Sequence, residues 1–387
     1  MFDLSDEQKR LLAWARKFGE EVIAPRSAEI DLKQEFPVDV MEKMAEQGFF
    51  RVVIPKSYGG MELNLTDLCL VIEEIARFDA SMAITFQSHT TSLRPLLLTR
   101  SKALKDEIFP KVVKENKVIA FAITEANAGS DSGAIQTSAV LQDGNYVLNG
   151  TKIYITNGSI ADYVLCSAVT SPDKGHRGIS IFLVDATSKG FSVGKKESKM
   201  GLRASPTTEI VFDNVVVPAS RMVGEEGGFP VLMKALEAQR VTIGAQSLGV
   251  AVGALECAMQ FAKEKIHFGK PLIEQQGIQF MLADMVMQVE TARAFIYKVT
   301  EMYENKFEPI TAYASISKCF PSDVAMRVTT DAVQLMGTYG YMKQYPVERM
   351  MRDAKVAQIY EGTNQIQRML IGRAIQKSEY SSIYSLE

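Results

Sequence analysis

Cysteine and histidine are scarce in this sequence, and neither residue type is grouped. The four cysteines, Cys69, Cys166, Cys257 and Cys319, are widely spread and form no C-x-x-C pair. The three histidines show no metal-ligand spacing. We therefore expect no zinc site or other metal centre, no disulfide framework, and a reducing, cytoplasmic environment.

A strong charge of one sign and an uninterrupted apolar run of membrane length are also missing. The net charge is −3, so no basic field attracts nucleic acid or anionic lipid. The N-terminal segment MFDLSDEQKRLL contains acids and lacks the apolar core of a signal peptide. The most apolar stretch, residues 241–262, includes two Gln, one Ser and one Glu. This composition favours a buried helix packed through small residues over a membrane span. We expect no nucleic-acid partner and no membrane insertion.

The common nucleotide and hydrolase motifs are absent as well. No G-x-G-x-x-G opens a helix after a strand, no G-x-x-x-x-G-K-[ST] occurs, and there is no G-x-S-x-G. These absences argue against a Rossmann dinucleotide site, a P-loop and a nucleophile elbow.

The sequence is ordered as helical, then β-rich, then helical segments. Residues 1–118 have helical periodicity, residues 119–228 contain short β-rich runs separated by Gly and Pro, and residues 229–387 are helical again. The pattern predicts an α+β protein with an N-terminal helical domain, a middle β domain and a C-terminal helical domain in these three ranges.

Local signals add detail to this order. Ser5 and Gln8 form a capping-box pattern at the start of the first helix, and Pro25 is expected to close that helix. Within NYVLNGTKIYITNG, the dipeptide Asn149-Gly150 predicts a β-hairpin turn.

Several short segments could bind a ligand, although each also has an ordinary structural explanation. FAITEANAGSD is predicted to be a strand that leads into a loop of small residues. The loop could bind a polar or anionic group, or it could be an ordinary polar turn. KIYITNG places Tyr154 and Thr156 on one face of a strand. These two side chains could flank a flat ring system, or the segment could be an ordinary half-buried strand. EKIHFGKP and QLMGTYGY are both predicted helix ends. Their ordinary explanations are C-terminal capping by cationic side chains in the first segment and a glycine C-cap in the second.

Glu361 in QIYEGTNQIQ is a lone acid beside apolar residues, and Gly362 follows it. Buried acids are uncommon unless paired, because desolvation is costly. Burial could raise the pKa of Glu361 toward the range useful to a general base. The alternative is a surface glutamate at a helix start, where the helix dipole favours it.

Taken together, these segments resemble the acyl-CoA dehydrogenase family. The resemblance is carried in order and spacing by FAITEANAGSD, GTKIYITNG, HFGKPL, QLMGTYGY and YPVERMMRDAKVAQIYEGTNQIQ, and it covers nearly the whole chain. It is strongest to the bacterial butyryl-CoA, short-chain and medium-chain members. It implies an N-terminal helical domain, a middle β-barrel or sandwich domain and a C-terminal four-helix bundle, assembled as a homotetramer. It also implies non-covalent FAD, bound partly across a subunit interface.

The resemblance further implies a reaction, the α,β-dehydrogenation of an acyl-CoA thioester. Glu361 would abstract the α-proton, flavin N5 would take the β-hydride, and the electrons would pass to electron-transfer flavoprotein. Gln239, in LEAQR, occupies the place where some relatives carry the base, and an amide cannot be the base. The alternatives are an acyl-CoA oxidase that uses O₂, an enoyl-CoA reductase running in reverse, and a non-catalytic flavoprotein. An intact Glu361 argues against the last.

The resemblance assigns ligand contacts to particular positions. The expected FAD contacts are Phe121, Ile123, Thr124, Ser130, Tyr154, Thr156, Lys265, Phe268, Gln276, Gln334, Gly337, Thr338, Thr363 and Gln365. Thr156 would lie near flavin N5, and Tyr154 would shield one flavin face. The residues that would reach the FAD of a neighbouring subunit are Lys265, Phe268 and Gln276. The expected contacts with the CoA thioester are Ser130, Arg240 and Gly362. Lys265 stands where Arg is more usual, which removes a bidentate fork to the pyrophosphate.

The pocket for the acyl tail is expected along the helix ITFQSHTTSLRP. Its polar residues include Gln87, Thr91 and Arg94. A long apolar tail would leave these groups poorly satisfied, at roughly 1–3 kcal/mol per buried group. We therefore expect a short, branched or alicyclic acyl group. Arg94 could also pair with the second carboxylate of a dicarboxylic acyl group, or it could face solvent.

Overall fold

The N-terminal part of the chain is helical in the computed structural model, which describes residues 4–380. Its helices are α1 (Asp6–Phe18), α2 (Ala24–Lys33), α3 (Val38–Glu46), α4 (Leu65–Phe78), α5 (Ala80–Leu98) and α6 (Lys102–Glu115). The capping box at α1 is confirmed, because Gln8 N donates to Ser5 Oγ and Ser5 N donates to Gln8 Oε1, both at 3.1 Å. The predicted closure at Pro25 is wrong. The chain continues through a wide turn, Gly19–Ile23, and Pro25 lies in the first turn of α2, where its missing N–H costs nothing.

A seven-stranded sheet follows these helices. Its strands are β1 (Ile119–Ala122), β2 (Ser138–Gln142), β3 (Asn145–Thr156), β4 (Tyr163–Val169), β5 (Ile179–Asp185), β6 (Phe191–Lys196) and β7 (Thr207–Pro218). The order is β1-β4-β2-β3-β7-β6, and β5 pairs with β4. β1 runs parallel to β4, whereas the β2–β3 and β3–β7 pairs are antiparallel. The middle of the chain is therefore a β domain.

The hairpin predicted at Asn149-Gly150 is wrong. The turn between β2 and β3 is Asp143-Gly144, whose φ angles of 48° and 79° suit a tight hairpin turn. Gly150 lies inside β3 at a shift of register against β7. A Cβ built there would lie 2.4 Å from Thr137 Oγ1, so glycine is required by close approach rather than by a turn.

The C-terminal part is helical again. Its elements are α7 (Phe229–Glu264), the short strands β8 (Ile266–His267) and β9 (Lys270–Pro271), and helices α8 (Gln276–Glu304), α9 (Thr311–Met336), α10 (Thr338–Tyr341), α11 (Val347–Val356) and α12 (Asn364–Gln376). Helix α9 packs against α7, α8, α11 and α12, and α7 also packs against α8 and α11. The chain thus has N-terminal helices, a middle sheet domain and a C-terminal helical domain, as predicted. The domain limits at 118/119 and 228/229 stay predictions.

Helix α7 packs through small residues. A Cβ at Gly244 would lie 2.0 Å from Ser317 O of α9, and one at Gly249 would lie 2.1 Å from Glu73 O of α4. The segment Val231–Glu264 is long and apolar enough to cross a membrane by composition, and 83% of its most apolar window is buried inside the protein. Close contact between α7 and α9 fixes which side chains of these two helices meet.

Charged contacts tie α11 to the rest of the molecule. Asp353 Oδ1 accepts a hydrogen bond of 2.6 Å from Leu202 N, in the loop between β6 and β7. Arg352 Nη2 donates to Asp31 Oδ2 of α2 at 2.7 Å. The helix that leads into the turn at residue 361 is therefore anchored to both the N-terminal helices and the sheet domain.

Candidate active site

Glu361 lies in the turn between α11 and α12. The backbone φ is 54° at Glu361 and 83° at Gly362. A non-glycine residue holds such a left-handed conformation only when its surroundings impose it. Gln367 of α12 contributes to this, because its Nε2 donates to Glu361 O at 3.0 Å and to Gly362 O at 3.2 Å. The turn is fixed through its carbonyl groups, while the Glu361 side chain is left free.

The Glu361 carboxyl is partly buried and has no hydrogen-bond partner among residues 4–380. Burial raises its pKa from 4.5 to about 7, against the opposing charges of Lys318 and Arg240. A carboxylate with this pKa is a much stronger base than an ordinary one and is still ionised in a large fraction of molecules near neutrality.

Lys318, in α9, lies beneath this turn and was not found from the sequence. Its side chain is fully buried, and Nζ donates to Gly362 O and to Asn364 Oδ1, both at 2.8 Å. Burial lowers the pKa of Lys318 to about 8. The Asn364 amide donates in turn to Ser322 Oγ at 2.9 Å and to Asp323 Oδ1 at 2.8 Å. These contacts hold the start of α12 against α9.

Arg240 and Gln239 belong to α7, on the other side of the turn. The charges of Arg240 and Glu361 act on each other's pKa values, and burial lowers the pKa of Arg240. The Gln239 side chain is 7% exposed and its Oε1 has no partner among the described residues. The structure thus brings Arg240 close to Glu361 and Gly362, and the expected contacts of Arg240 and Gly362 with the CoA thioester stay predictions.

The loop after β1 and the end of β3 come together in the sheet domain. Ile153 N donates to Thr124 O at 2.9 Å, so Ile123 and Thr124 lie beside the strand segment that ends in Tyr154 and Thr156. Phe121 lies in β1, and Ser130 is exposed in the loop that follows. A buried ion pair beneath this region, from Lys152 Nζ to Glu125 Oε1 at 2.8 Å, was not predicted.

Tyr154 departs from the regular strand that the sequence prediction assumed. Its φ is 59°, and the register against β7 shifts between Lys152 and Ile155. The resulting bulge turns Lys152 and Ile155 inward and leaves the Tyr154 side chain 61% exposed. Thr156 is half-buried, and Asn157 Nδ2 donates to Thr85 O of α5 at 2.9 Å.

Helix α5 continues from this contact toward α7. The side chain of Gln87 is fully buried, its Nε2 donates to Thr242 Oγ1 at 2.8 Å, and its Oε1 has no partner among the described residues. Thr91 is also buried. Arg94 lies two helical turns further along, over the ring of Tyr303 at 5.5 Å, and donates to the Tyr303 hydroxyl at 3.3 Å. Its contacts are therefore with α8.

The remaining predicted contacts lie mostly on the surface. Lys265 Nζ donates to Tyr339 Oη at 3.0 Å, which places the end of α7 beside α10. The exposed predicted residues in and near this surface are Phe268, Gln276, Gln334, Gly337 and Thr338, and Phe268 is 90% exposed. Thr363 Oγ1 caps α12 by accepting from Ile366 N at 3.2 Å, and Gln365 is exposed. No contact found within residues 4–380 joins this surface to Tyr154.

Comparison with known proteins identifies the family. The chain matches the acyl-CoA dehydrogenase N-terminal domain at residues 5–116, the middle domain at 120–215 and the C-terminal domain at 226–376. It is 44% identical to cyclohex-1-ene-1-carbonyl-CoA dehydrogenase of Syntrophus aciditrophicus, covering 97% of this chain and 91% of that one. It is 42% identical to the short-chain-specific acyl-CoA dehydrogenase of Clostridium acetobutylicum, covering 97% and 99%.

A solved structure gives the same result. Butyryl-CoA dehydrogenase from Megasphaera elsdenii superposes with a TM-score of 0.94 at 42% identity, covering 97% of this chain and 100% of that chain. Both the family models and the fold span nearly all of the sequence. The chain therefore belongs to the acyl-CoA dehydrogenase family of oxidoreductases.

Proposed function

We propose that this protein catalyses the FAD-dependent α,β-dehydrogenation of an acyl-CoA thioester to the trans-2-enoyl-CoA, with Glu361 as the base. The observation that carries the proposal is the unpartnered Glu361 carboxyl, held on a left-handed turn with its pKa raised to about 7. An acid that must take up a proton has to stay unpaired, and its basicity is greatest in a poorly solvated site.

The backbone of the same turn suits the thioester carbonyl. The N–H groups of Glu361, Gly362 and Thr363 have no hydrogen-bond acceptor among residues 4–380. Donors left free beside a base can stabilise the negative charge that develops on the carbonyl oxygen when the α-proton leaves. Arg240, whose charge acts on Glu361, adds a positive field at the same place.

The residues of the sheet domain fit FAD. Tyr154 is an exposed aromatic side chain set on a bulge beside Ile123 and Thr124, and Thr156 presents a hydroxyl two residues further on. An exposed ring and neighbouring hydroxyls suit a flat heteroaromatic system. Phe268, exposed on a glycine turn, suits a contact with the cofactor of a neighbouring subunit. When bound, FAD would accept the β-hydride at N5. We keep the predicted FAD contacts on this basis.

We infer that the acyl group is short, branched or alicyclic. Gln87 and Gln239 each bury an amide oxygen without a partner, and Thr242 links the two residues because its Oγ1 donates to Gln239 O at 2.9 Å. Surrounding these groups with a long alkyl chain would cost about 1–3 kcal/mol per unsatisfied group. The contact of Arg94 with Tyr303 disfavours a dicarboxylic acyl group, because binding its second carboxylate would require Arg94 to leave that ring.

The further partners follow from the resemblance. We propose a homotetramer in the cytoplasm with electron-transfer flavoprotein as electron acceptor. Running as an enoyl-CoA reductase would use the same residues. Oxygen consumption with peroxide release during turnover would instead identify an acyl-CoA oxidase.

The decisive experiment is anaerobic mixing of the FAD-loaded protein with acyl-CoA thioesters while the flavin absorbance is followed. The wild type should bleach, and Glu361→Gln should keep FAD but bleach at least about a thousandfold more slowly. Glu46→Gln, on an exposed face of α3, is the matched control and should behave like the wild type. Turnover of Glu361→Gln within about tenfold of wild type would contradict the proposal.

A further inference from the structure

We propose that Lys318 is a positioning residue for this dehydrogenation. Its buried ammonium group fixes the turn at residues 361–364 and supplies a positive charge that favours the ionised form of Glu361. The inference rests on the proposed function, since it concerns the state of the base before the α-proton is removed.

The geometry places the Lys318 ammonium directly against the backbone of the turn. Two of its three N–H groups are used by acceptors at 2.8 Å, Gly362 O and Asn364 Oδ1. These acceptors lie on either side of Thr363, so one cation links the residue after Glu361 to the first residue of α12. Such charge-assisted hydrogen bonds are stronger than neutral ones, and they hold the left-handed φ of 54° at Glu361.

Hydrogen bonding alone does not explain a lysine at this position. Gln367 Nε2 already donates to Glu361 O and Gly362 O, so a neutral donor meets the needs of these carbonyl groups. Burying an ammonium group is costly, and burial lowers the pKa of Lys318 to about 8. Beyond Gln367, Lys318 provides the contact with Asn364 Oδ1 and a positive charge, and the charges of Lys318 and Glu361 act on each other.

Few charged groups among residues 4–380 act on Glu361. Arg240 of α7 and Lys318 of α9 are the charges that oppose the raised pKa of Glu361. Asp323 faces Lys318 but is already engaged, since it pairs with Arg368 at 2.7 Å and accepts from Asn364. Cys319, next to Lys318, is a buried thiol whose pKa burial raises, so it is neutral. The neighbouring Tyr360 hydroxyl, kept neutral by burial, donates to Gln246 Oε1 at 2.8 Å.

Two variants separate charge from positioning. Lys318→Met removes the charge and the donor, whereas Gln367→Met removes a neutral donor to the same turn. Both are measured with FAD bound, as kcat/KM against pH from 5.5 to 9. The wild-type acid limb should have its midpoint near 7. In Lys318→Met the midpoint should rise by about 1 pH unit and the plateau should fall at least about tenfold. Gln367→Met should lower the plateau and leave the midpoint in place.

Lys318→Arg provides a second measurement if Lys318→Met does not fold with FAD. It keeps the charge and changes the donor geometry, so its midpoint should stay at the wild-type value while its plateau falls. A shift in this variant, or an unchanged midpoint in Lys318→Met, would overturn the proposal. Failure of the wild type to bleach with any thioester would refute the proposed function itself, which is a different outcome.

Discussion

Replacing Glu361 with glutamine should stabilise the folded protein at neutral and alkaline pH, while it abolishes turnover. The carboxyl has its pKa raised from 4.5 to about 7 by burial. The unfolded chain has the ordinary value, so the folded state binds more protons between these two pH values. Wild-type stability from this group is fully present below pH 4.5 and is lost as the pH rises through 7. A glutamine has no proton to lose, so the variant escapes this loss.

The size of the effect follows from the same pKa values. The difference between 4.5 and about 7, at about 1.36 kcal/mol for each pH unit, amounts to about 3 kcal/mol above pH 7. Divided by the unfolding entropy of a chain of 387 residues, this free-energy difference corresponds to a rise of about 4 °C in apparent Tm. At pH 4.5 and below the gain should disappear, because the wild-type carboxyl is then also neutral.

The assay is thermal unfolding of the FAD-loaded proteins at a series of pH values from 4.5 to 8.5, followed by flavin release and by circular dichroism. The gain of Glu361→Gln over wild type should grow across this range. Glu46→Gln should follow the wild-type curve, because its side chain lies on an exposed helix face. Equal Tm values for Glu361→Gln and wild type at pH 8, or a gain that is largest at low pH, would refute the raised pKa of Glu361.

Two further predictions concern assembly and substrate. Because the Phe268 side chain is 90% exposed, Phe268→Ala should leave the subunit folded but reduce FAD retention. Light scattering should give the mass of the proposed tetramer for the wild type and a smaller mass for the variant. A monomeric wild type with stoichiometric FAD would contradict this. Among C4, C8, C16, cyclohexanecarbonyl and glutaryl thioesters, kcat/KM should be highest for a short or alicyclic one, and a maximum at C16 would refute the polar pocket. Arg94→Ala should not change glutaryl turnover, because Arg94 stacks on Tyr303.

Local motifs in the sequence single out the segment around Glu361, whose catalytic role stays a prediction. Glu361 stands beside Gly362 in a segment with no pairing charge, and the structure holds both residues at positive φ. Lys318 was not identified from the sequence because its role depends on contacts with residues that are far away in the chain. Lys318 donates to Gly362 O only because α9 packs beneath a turn that lies some forty residues later in the chain. The available signal was a lone lysine between Ser317 and Cys319 in a helix with few charges.

The sheet domain shows a second limit of local prediction. Asn149-Gly150 is a strong hairpin dipeptide, but β3 continues through it. Glycine is needed at position 150 because a Cβ there would lie 2.4 Å from Thr137 Oγ1. Asp143-Gly144 makes the turn instead. Close approach and turn formation both select glycine, so the residue type alone cannot separate them. In the same way, the bulge at Tyr154 follows from pairing with β7, which local sequence does not specify.

The arrangement around the turn explains how an acid can remain unpaired in a site crowded with donors. Lys318 donates to Gly362 O and Asn364 Oδ1, and Gln367 donates to the carbonyl oxygens of Glu361 and Gly362. Neither donates to the Glu361 carboxylate. Had either group donated to the carboxylate, the hydrogen bond would have stabilised the ionised form and lowered its basicity. Satisfying the carbonyls fixes the position of the side chain, whereas the charge of Lys318 acts on it only through space. The protein therefore holds the proposed base in place without neutralising it, and the cost of an unpaired carboxylate is the stability that Glu361→Gln should restore.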